Sequence, residues 1–228
     1  MSTLSNVNPH GGGEEAPSIA TTHDADPRAM NTHLGVSVNY AHTPTAAQDD
    51  DRQWYVLRAT YGRERQACDY LNAAGEQAYL PMHYVARDFK GQRQRTLRPL
   101  LPNILFVYTT AARIDEYIKR TPALSYLHYY YNHLVTKSDG TNPPLTISDR
   151  DMESFIRATT TDSEHVRLID PQRCHYRSGD RVRITDGSFR GVEGRVARIS
   201  GQQRVVVTLA GLCSVATAYI PKAFLERV

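Results

Sequence analysis

The sequence predicts an α+β body followed by a small all-β barrel, and three observations carry that reading. From Trp54 onward, short aromatic and β-branched runs alternate with helix-periodic ones. From Val166 onward the helix period disappears, leaving short apolar strands punctuated by glycine. Before Arg52 there is one aromatic residue, Tyr40, a Gly11-Gly12-Gly13 run and no sustained apolar period, so residues 1–51 are expected to be a disordered tail.

In chain order, Trp54 to Ala59 reads as a strand. Gly62 then introduces a helix with Ala67, Tyr70, Leu71 and Ala74 at helical spacing and Gly75 as its stop. Ala78 to Pro81 is a second strand, and Met82 to Leu97 a hairpin turning at Lys90-Gly91 with charged residues around its tip. Ile104 to Tyr108 is a continuous apolar run that suits a central buried strand. Ile114, Tyr117 and Ile118 mark a short helix that ends before Pro122, and Ser125 to Tyr131 a further strand. After Pro143-Pro144, Ser148 is placed to cap a helix carrying Met152, Phe155 and Ile156. This order predicts a largely antiparallel sheet with helices on one face. Polar residues from Thr159 to His165 read as a linker free to let the two parts reorient. The barrel strands fall around Val182/Ile184, Val192/Val196/Ile199, Val205/Val207/Leu209 and Val215/Tyr219.

Charge and composition narrow the function classes. The 228 residues carry 27 Lys+Arg against 24 Asp+Glu, a formal net charge of +3. Residues 1–51 hold seven acidic groups against Arg28 alone, a net of −6, which leaves +9 on the remainder. All but four of the basic residues are arginines, whose planar fork suits phosphate and carboxylate, so a nucleic acid or an acidic protein surface is the expected partner. No apolar run approaches a membrane span, and the N-terminus shows neither a basic nor an apolar signal region, so a cytoplasmic location with no membrane partner is expected. Cys68, Cys174 and Cys213 are an odd number, widely spaced, without a C-x-x-C pair. No thiolate metal site, phosphate loop, HExxH or nucleophile elbow is present, and neither catalytic residues, a metal nor a cofactor is expected.

The most specific stretch is Gly179-Asp180-Arg181-Val182-Arg183-Ile184-Thr185-Asp186-Gly187-Ser188-Phe189-Arg190-Gly191-Val192-Glu193-Gly194-Arg195-Val196. Two alternating strands flank a loop in which Asp186-Gly187 turns the chain, Phe189 anchors it, and Gly191 and Gly194 occupy positions a Cβ would obstruct. This resembles the KOW motif, with Gly187, Phe189, Gly191 and Gly194 as its marker residues. Trp54-Tyr55-Val56-Leu57, Gly62 and the following helix resemble the opening of a NusG N-terminal (NGN) domain, and Leu100-Leu101-Pro102-Asn103-Ile104-Leu105-Phe106-Val107 resembles its Phe-Pro-Gly-Tyr-apolar segment. The chain is therefore identified by resemblance as NusG/RfaH-like. Asn103, where housekeeping NusG carries Gly, places it nearest the specialised RfaH- and UpxY-type antiterminators; Ile104 replaces the usual Tyr.

The resemblance implies an NGN α/β sandwich at 52–158, a linker at 159–165 and a KOW (SH3-like) barrel at 166–228. It implies a monomeric, non-enzymatic elongation or antitermination factor that binds the β′ clamp helices of RNA polymerase and raises processivity on specific long operons. By position, Trp54, Tyr55, Leu101, Pro102, Ile104 and Phe106 would dock on the polymerase; core packing is the alternative reading of each. Non-template DNA or nascent RNA would meet Arg63, Arg65 and Gln66 at the first helix, Arg93 and Arg95 on the hairpin, and Arg120. Arg87, Lys90 and Arg98 add to the hairpin's charge, and Tyr126, Tyr129, Tyr130 and Tyr131 offer rings for stacking. The barrel would meet a ribosomal protein or Rho. Alternatives are a general NusG that couples polymerase to Rho or the ribosome, and, from another class, a KOW-bearing ribosomal or RNA-binding protein.

Overall fold

The protein is described from a computed structural model, which covers residues 51–89, 92–161, 166–170 and 175–228. The tail expected at 1–51 lies outside the described residues except for Asp51, as do the Lys90-Gly91 turn, His165 and Cys174.

The N-terminal sheet is built around β1 (Arg52–Ala59), whose aromatic and β-branched residues are buried from Trp54 to Leu57. It pairs with β5 (Ile104–Thr110) on one side and β6 (Leu127–Tyr129) on the other. β2 (Gln77–Tyr79) extends the sheet beyond β5, and the short β7 (Thr146–Ile147) also pairs with β1; every pairing is antiparallel. The register sets Trp54 opposite Tyr108 and Val56 opposite Phe106, so these four share one face. Tyr55, Leu57, Leu105 and Val107 line the other.

α2 (Ala111–Arg120), capped by Thr110 through the Arg113 N–H, lies on the Leu57 face, where the Tyr129 hydroxyl donates to Asp115 Oδ1 at 2.7 Å. α1 (Glu64–Ala73) buries Ala67, Cys68 and Leu71 against β1, β2 and β5. α3 (Asp149–Thr161) covers the opposite face. Its Phe155 ring lies 5.5 Å from that of Phe106, and the hydroxyls of Thr159 and Tyr79 are 2.6 Å apart. The α+β class is as expected, but the helices occupy both faces of the sheet rather than one. The reason is the stripe Met152, Phe155, Ile156 and Thr159, which needs an apolar face that α2 does not cover. Ser148 caps α3 by accepting the Asp151 N–H at 3.3 Å.

β3 (Met82–Phe89) and β4 (Gln92–Pro99) form a separate two-stranded ribbon rooted by buried Met82. Tyr131, expected to lie in a strand, makes only an isolated bridge to Pro144.

The C-terminal part contains β8 (Arg167–Ile169), β9 (His175–Ile184), β10 (Glu193–Ile199), β11 (Gln202–Leu209), β12 (Cys213–Ala216) and β13 (Leu225–Arg227). They pair antiparallel in the order β13-β9-β10-β11-β12-β8. The sheet is all-β as expected; among the described residues its end strands β13 and β8 do not pair with each other. Tyr219 lies outside the strands and is exposed. The 186–194 loop behaves as the residues require. Phe189 is buried, Gly191 has φ +87°, and a Cβ on Gly194 would sit 2.3 Å from the Val206 carbonyl oxygen.

Of the linker expected at 159–165, residues 159–161 form the last turn of α3 with Thr159 buried, and 162–165 lie outside the described residues. Helix and C-terminal sheet are in contact. Val205, Val206 and Val207 are consecutive and all buried, so β11 is covered on both faces, with α3 packed against it. The Glu193 N–H donates to Ser154 Oγ of α3 at 3.2 Å.

Candidate functional site

The six apolar candidates are divided by the register of β1 and β5. Trp54, Ile104 and Phe106 point to the α3 side, and Tyr55 points to the α2 side, where its ring lies 6.2 Å from that of Tyr129. Phe106 is 0% exposed between Tyr79 and Phe155, and Trp54 packs against Tyr108 with ring centroids 5.4 Å apart. Ile104 is 9% exposed. Pro102 is exposed, and Leu101 lines a groove of about 420 Å³ with Leu168, Ile169, Leu209 and Leu212 of the C-terminal sheet. The core reading therefore describes Phe106, Trp54, Tyr55 and Ile104; Leu101 is also buried but borders the groove, and Pro102 is at the surface.

Asn103 sits between these groups with φ +63°, a left-handed conformation that Asn tolerates better than most residues and Gly best of all. Its carbonyl accepts the Ala59 N–H at 2.9 Å and its Oδ1 accepts the Gly62 N–H at 3.0 Å, tying the β5 entrance to the loop before α1. Arg63, at the N-cap of α1, places its guanidinium 3.8 Å from the centre of the Tyr126 ring. Burial raises the Tyr126 phenol above its ordinary pKa, and the nearby Arg63 charge opposes this. Arg65 and Gln66 are exposed on the first turn of α1, with Arg65 Nη2 3.8 Å from Met82 Sδ.

Residues 52–156 match the family model described as "Transcription termination factor nusG". That segment, just under half of the chain, is similar to the NusG family. Among solved structures, a chain from the crystal structure of the MjSpt4:Spt5 complex, conformation B, is similar at 16% identity; the similarity covers 77% of this chain and 96% of that one, with a TM-score of 0.23.

The remaining cationic candidates of the NusG-like domain lie on the ribbon and at the end of α2. Arg95 lies on the ribbon, 5.3 Å from the Tyr84 ring centre, and the Arg93 side chain lies outside the described residues. Arg120 is exposed at the end of α2. Of the tyrosines, Tyr126 is buried, Tyr129 is bonded to Asp115 and pushed well above its ordinary pKa by burial and that carboxylate, and Tyr131 is exposed.

Two charged networks were not anticipated from the sequence. Buried Glu76 accepts from Arg52 at 2.9 Å, Arg113 at 2.6 Å and the Tyr117 hydroxyl at 3.3 Å, joining β1, β2 and α2. Glu193, with a side chain 7% exposed, accepts from Arg150 of α3 at 2.5 Å and from two Arg183 nitrogens at 2.9 and 2.7 Å; beside it Arg181 binds Asp151 at 2.5 Å. Burial pushes the Glu193 carboxyl up, but the hydrogen bonds from Arg150 and Arg183 outweigh it and hold the group below its ordinary pKa. The available signal was Glu193 on an alternating strand in a segment that also carries Arg181, Arg183, Arg190 and Arg195. Among the described residues no cluster of His, Cys, Asp and Glu is placed to hold a metal, and no helix is long and apolar enough to cross a membrane. Burial pushes the thiols of Cys68 and Cys213 up to about 12, which makes both poor nucleophiles.

Proposed function

We propose that this protein is a transcription elongation factor that binds RNA polymerase through its NusG-like domain and raises processivity on a limited set of long operons. The observation that carries the reading is the family match over residues 52–156. The surface chemistry of the chain is compatible with it. The Leu101 groove and exposed Pro102 offer apolar surface of the kind a partner helix fills. The basic groups from Arg63 to Gln66 and on the ribbon suit the phosphates of an exposed non-template strand or a nascent transcript. Asn103 favours the specialised branch over the housekeeping one, and the KOW-like 179–196 segment offers a separate surface for a ribosomal protein or Rho.

The reading is tested by chromatin occupancy together with co-purification. Enrichment on a few long operons supports a specialised antiterminator, and uniform occupancy of transcribed genes supports a general factor. A tagged chain that never co-purifies with RNA polymerase overturns both. Pro102→Ala, at an exposed position and so with an unchanged thermal midpoint, should weaken that co-purification.

A further inference from the structure

Three loops of the NusG-like domain meet around a tyrosine that nothing in the fold uses. Tyr61, within the short 3-10 turn Thr60–Gly62, has φ +63° and a residue exposure of 89%. A bulky non-glycine residue in the left-handed region is strained, and such strain persists only where the surroundings enforce it. Here they do. The Thr60 N–H and hydroxyl donate to the Tyr126 carbonyl at 3.0 and 3.3 Å, while the Ala59 and Gly62 N–H groups donate to Asn103 at 2.9 and 3.0 Å. The turn is thus fastened on both sides of a ring that covers no core.

Behind the ring stands Arg63, its guanidinium 5.6 Å from the centre of Tyr61 and 3.8 Å from that of Tyr126. Tyr126 is 4% exposed, and its hydroxyl, like Arg63 Nε, has no hydrogen-bond partner among the described residues. The result is a ring–guanidinium–ring arrangement whose outer ring is open to solvent. Arg58 and His128, exposed and opposite one another in the β1–β6 register, lie at the same end of the sheet. Among the described residues the exposed large aliphatics Leu134, Val135, Leu168 and Val228 all belong to other segments. An open aromatic face bordered by guanidinium groups suits a nucleobase flanked by phosphates better than an apolar protein surface. Glu64, buried in the first turn of α1 with an oxygen lacking a partner, competes for the backbone N–H groups of that helix end, so phosphate contact there falls to the arginine side chains.

We propose that Tyr61 is a stacking platform for one base of a single-stranded nucleic acid, with Arg58 and Arg63 beside its phosphates. This rests on the nucleic-acid reading above and names the group that engages the bases.

The test uses the full-length chain and fluorescent single-stranded DNA and RNA of the same sequence, about 12 nucleotides long, titrated by anisotropy at several salt concentrations. Tyr61→Ala and Tyr61→Leu should each weaken binding about tenfold without changing the salt slope, while Tyr61→Phe should bind like the wild type. Arg58→Gln should instead reduce the slope. Tighter binding of DNA identifies the displaced strand as the source of the base, and tighter binding of RNA the transcript; either supports stacking. If the wild type binds and Tyr61→Ala matches it, the platform is refuted while the nucleic-acid reading stands. If the wild type binds neither oligonucleotide, both fall. If Tyr61→Leu binds like Tyr61→Phe, or if Tyr61→Ala loses polymerase but not oligonucleotide, the ring is a protein contact and the proposal is overturned.

Discussion

Replacing Glu193 by Gln removes one charge at the junction of α3 and the C-terminal sheet while keeping the shape of the side chain. The carboxylate accepts from Arg150 and twice from Arg183, and the Gln amide would turn donors toward donors. A hydrogen bond to a charged group contributes about 1.5–3 kcal/mol when well shielded. Both arginines are about half exposed, with side-chain accessibilities of 54% and 49%, so water recovers much of what they lose. The expected net loss is about 2 kcal/mol, or roughly 4–8 °C in thermal midpoint for a chain of this size. Trp54 is the only tryptophan and lies in the N-terminal sheet, so its fluorescence reports whether a change in the C-terminal sheet reaches across α3. Raising salt from about 0.1 to 1 M, which shortens screening from about 10 to 3 Å, should lower the wild-type midpoint more than the mutant's. Because the folded Glu193 pKa lies below its ordinary value of 4.5, its stabilisation is complete above that value and is lost as pH falls through the folded one. The wild type should therefore show an acid-side loss that the mutant lacks. A Trp54 transition that does not move, with equal salt and acid dependence in both proteins, would refute the coupling.

Asn103→Ala should lose about 1–2 kcal/mol, through a strained left-handed backbone and the lost bond to Gly62, whereas Asn103→Gly should lose less; chemical denaturation measures both. Ile104→Asp would place an unpaired carboxylate at a site 9% exposed, so its thermal midpoint should fall by several degrees, and any loss of polymerase binding would then report unfolding rather than docking. Gly194→Ala should abolish the soluble folded chain or sharply lower its midpoint, because the obstacle 2.3 Å from the new Cβ is the Val206 backbone of the neighbouring strand; circular dichroism of the purified variant decides it.

What could be read in the residues follows the range of the interactions. The strand from Trp54, the apolar run from Ile104, the Ser148 cap and the turn through Gly187 and Gly194 depend on near neighbours, and each is where the pattern put it. The separation of Trp54 from Tyr55 onto opposite faces was also available, since period-two alternation alone forbids adjacent strand residues from sharing one surface. The second buried side of α3 was not. Ser154 and Ala158 are small enough to suit water or a close neighbour equally, and flanking Arg150 and Arg157 make that side look solvated. Glu193 and Glu76 acquire their partners only once distant strands and helices are assembled. Tyr61 could be counted in the sequence, but its exposure and positive φ could not.

α3 spends one side on the sheet beneath it and the other on β11, so it works as a party wall between two interiors. The family match ends at Ile156, in the middle of that wall. The matched segment and the packed body of α3 therefore have different borders in this chain. The C-terminal sheet, with Val205 to Val207 pressed between its own interior and that helix, has part of its dry volume furnished by a segment that its sequence neighbours do not contain.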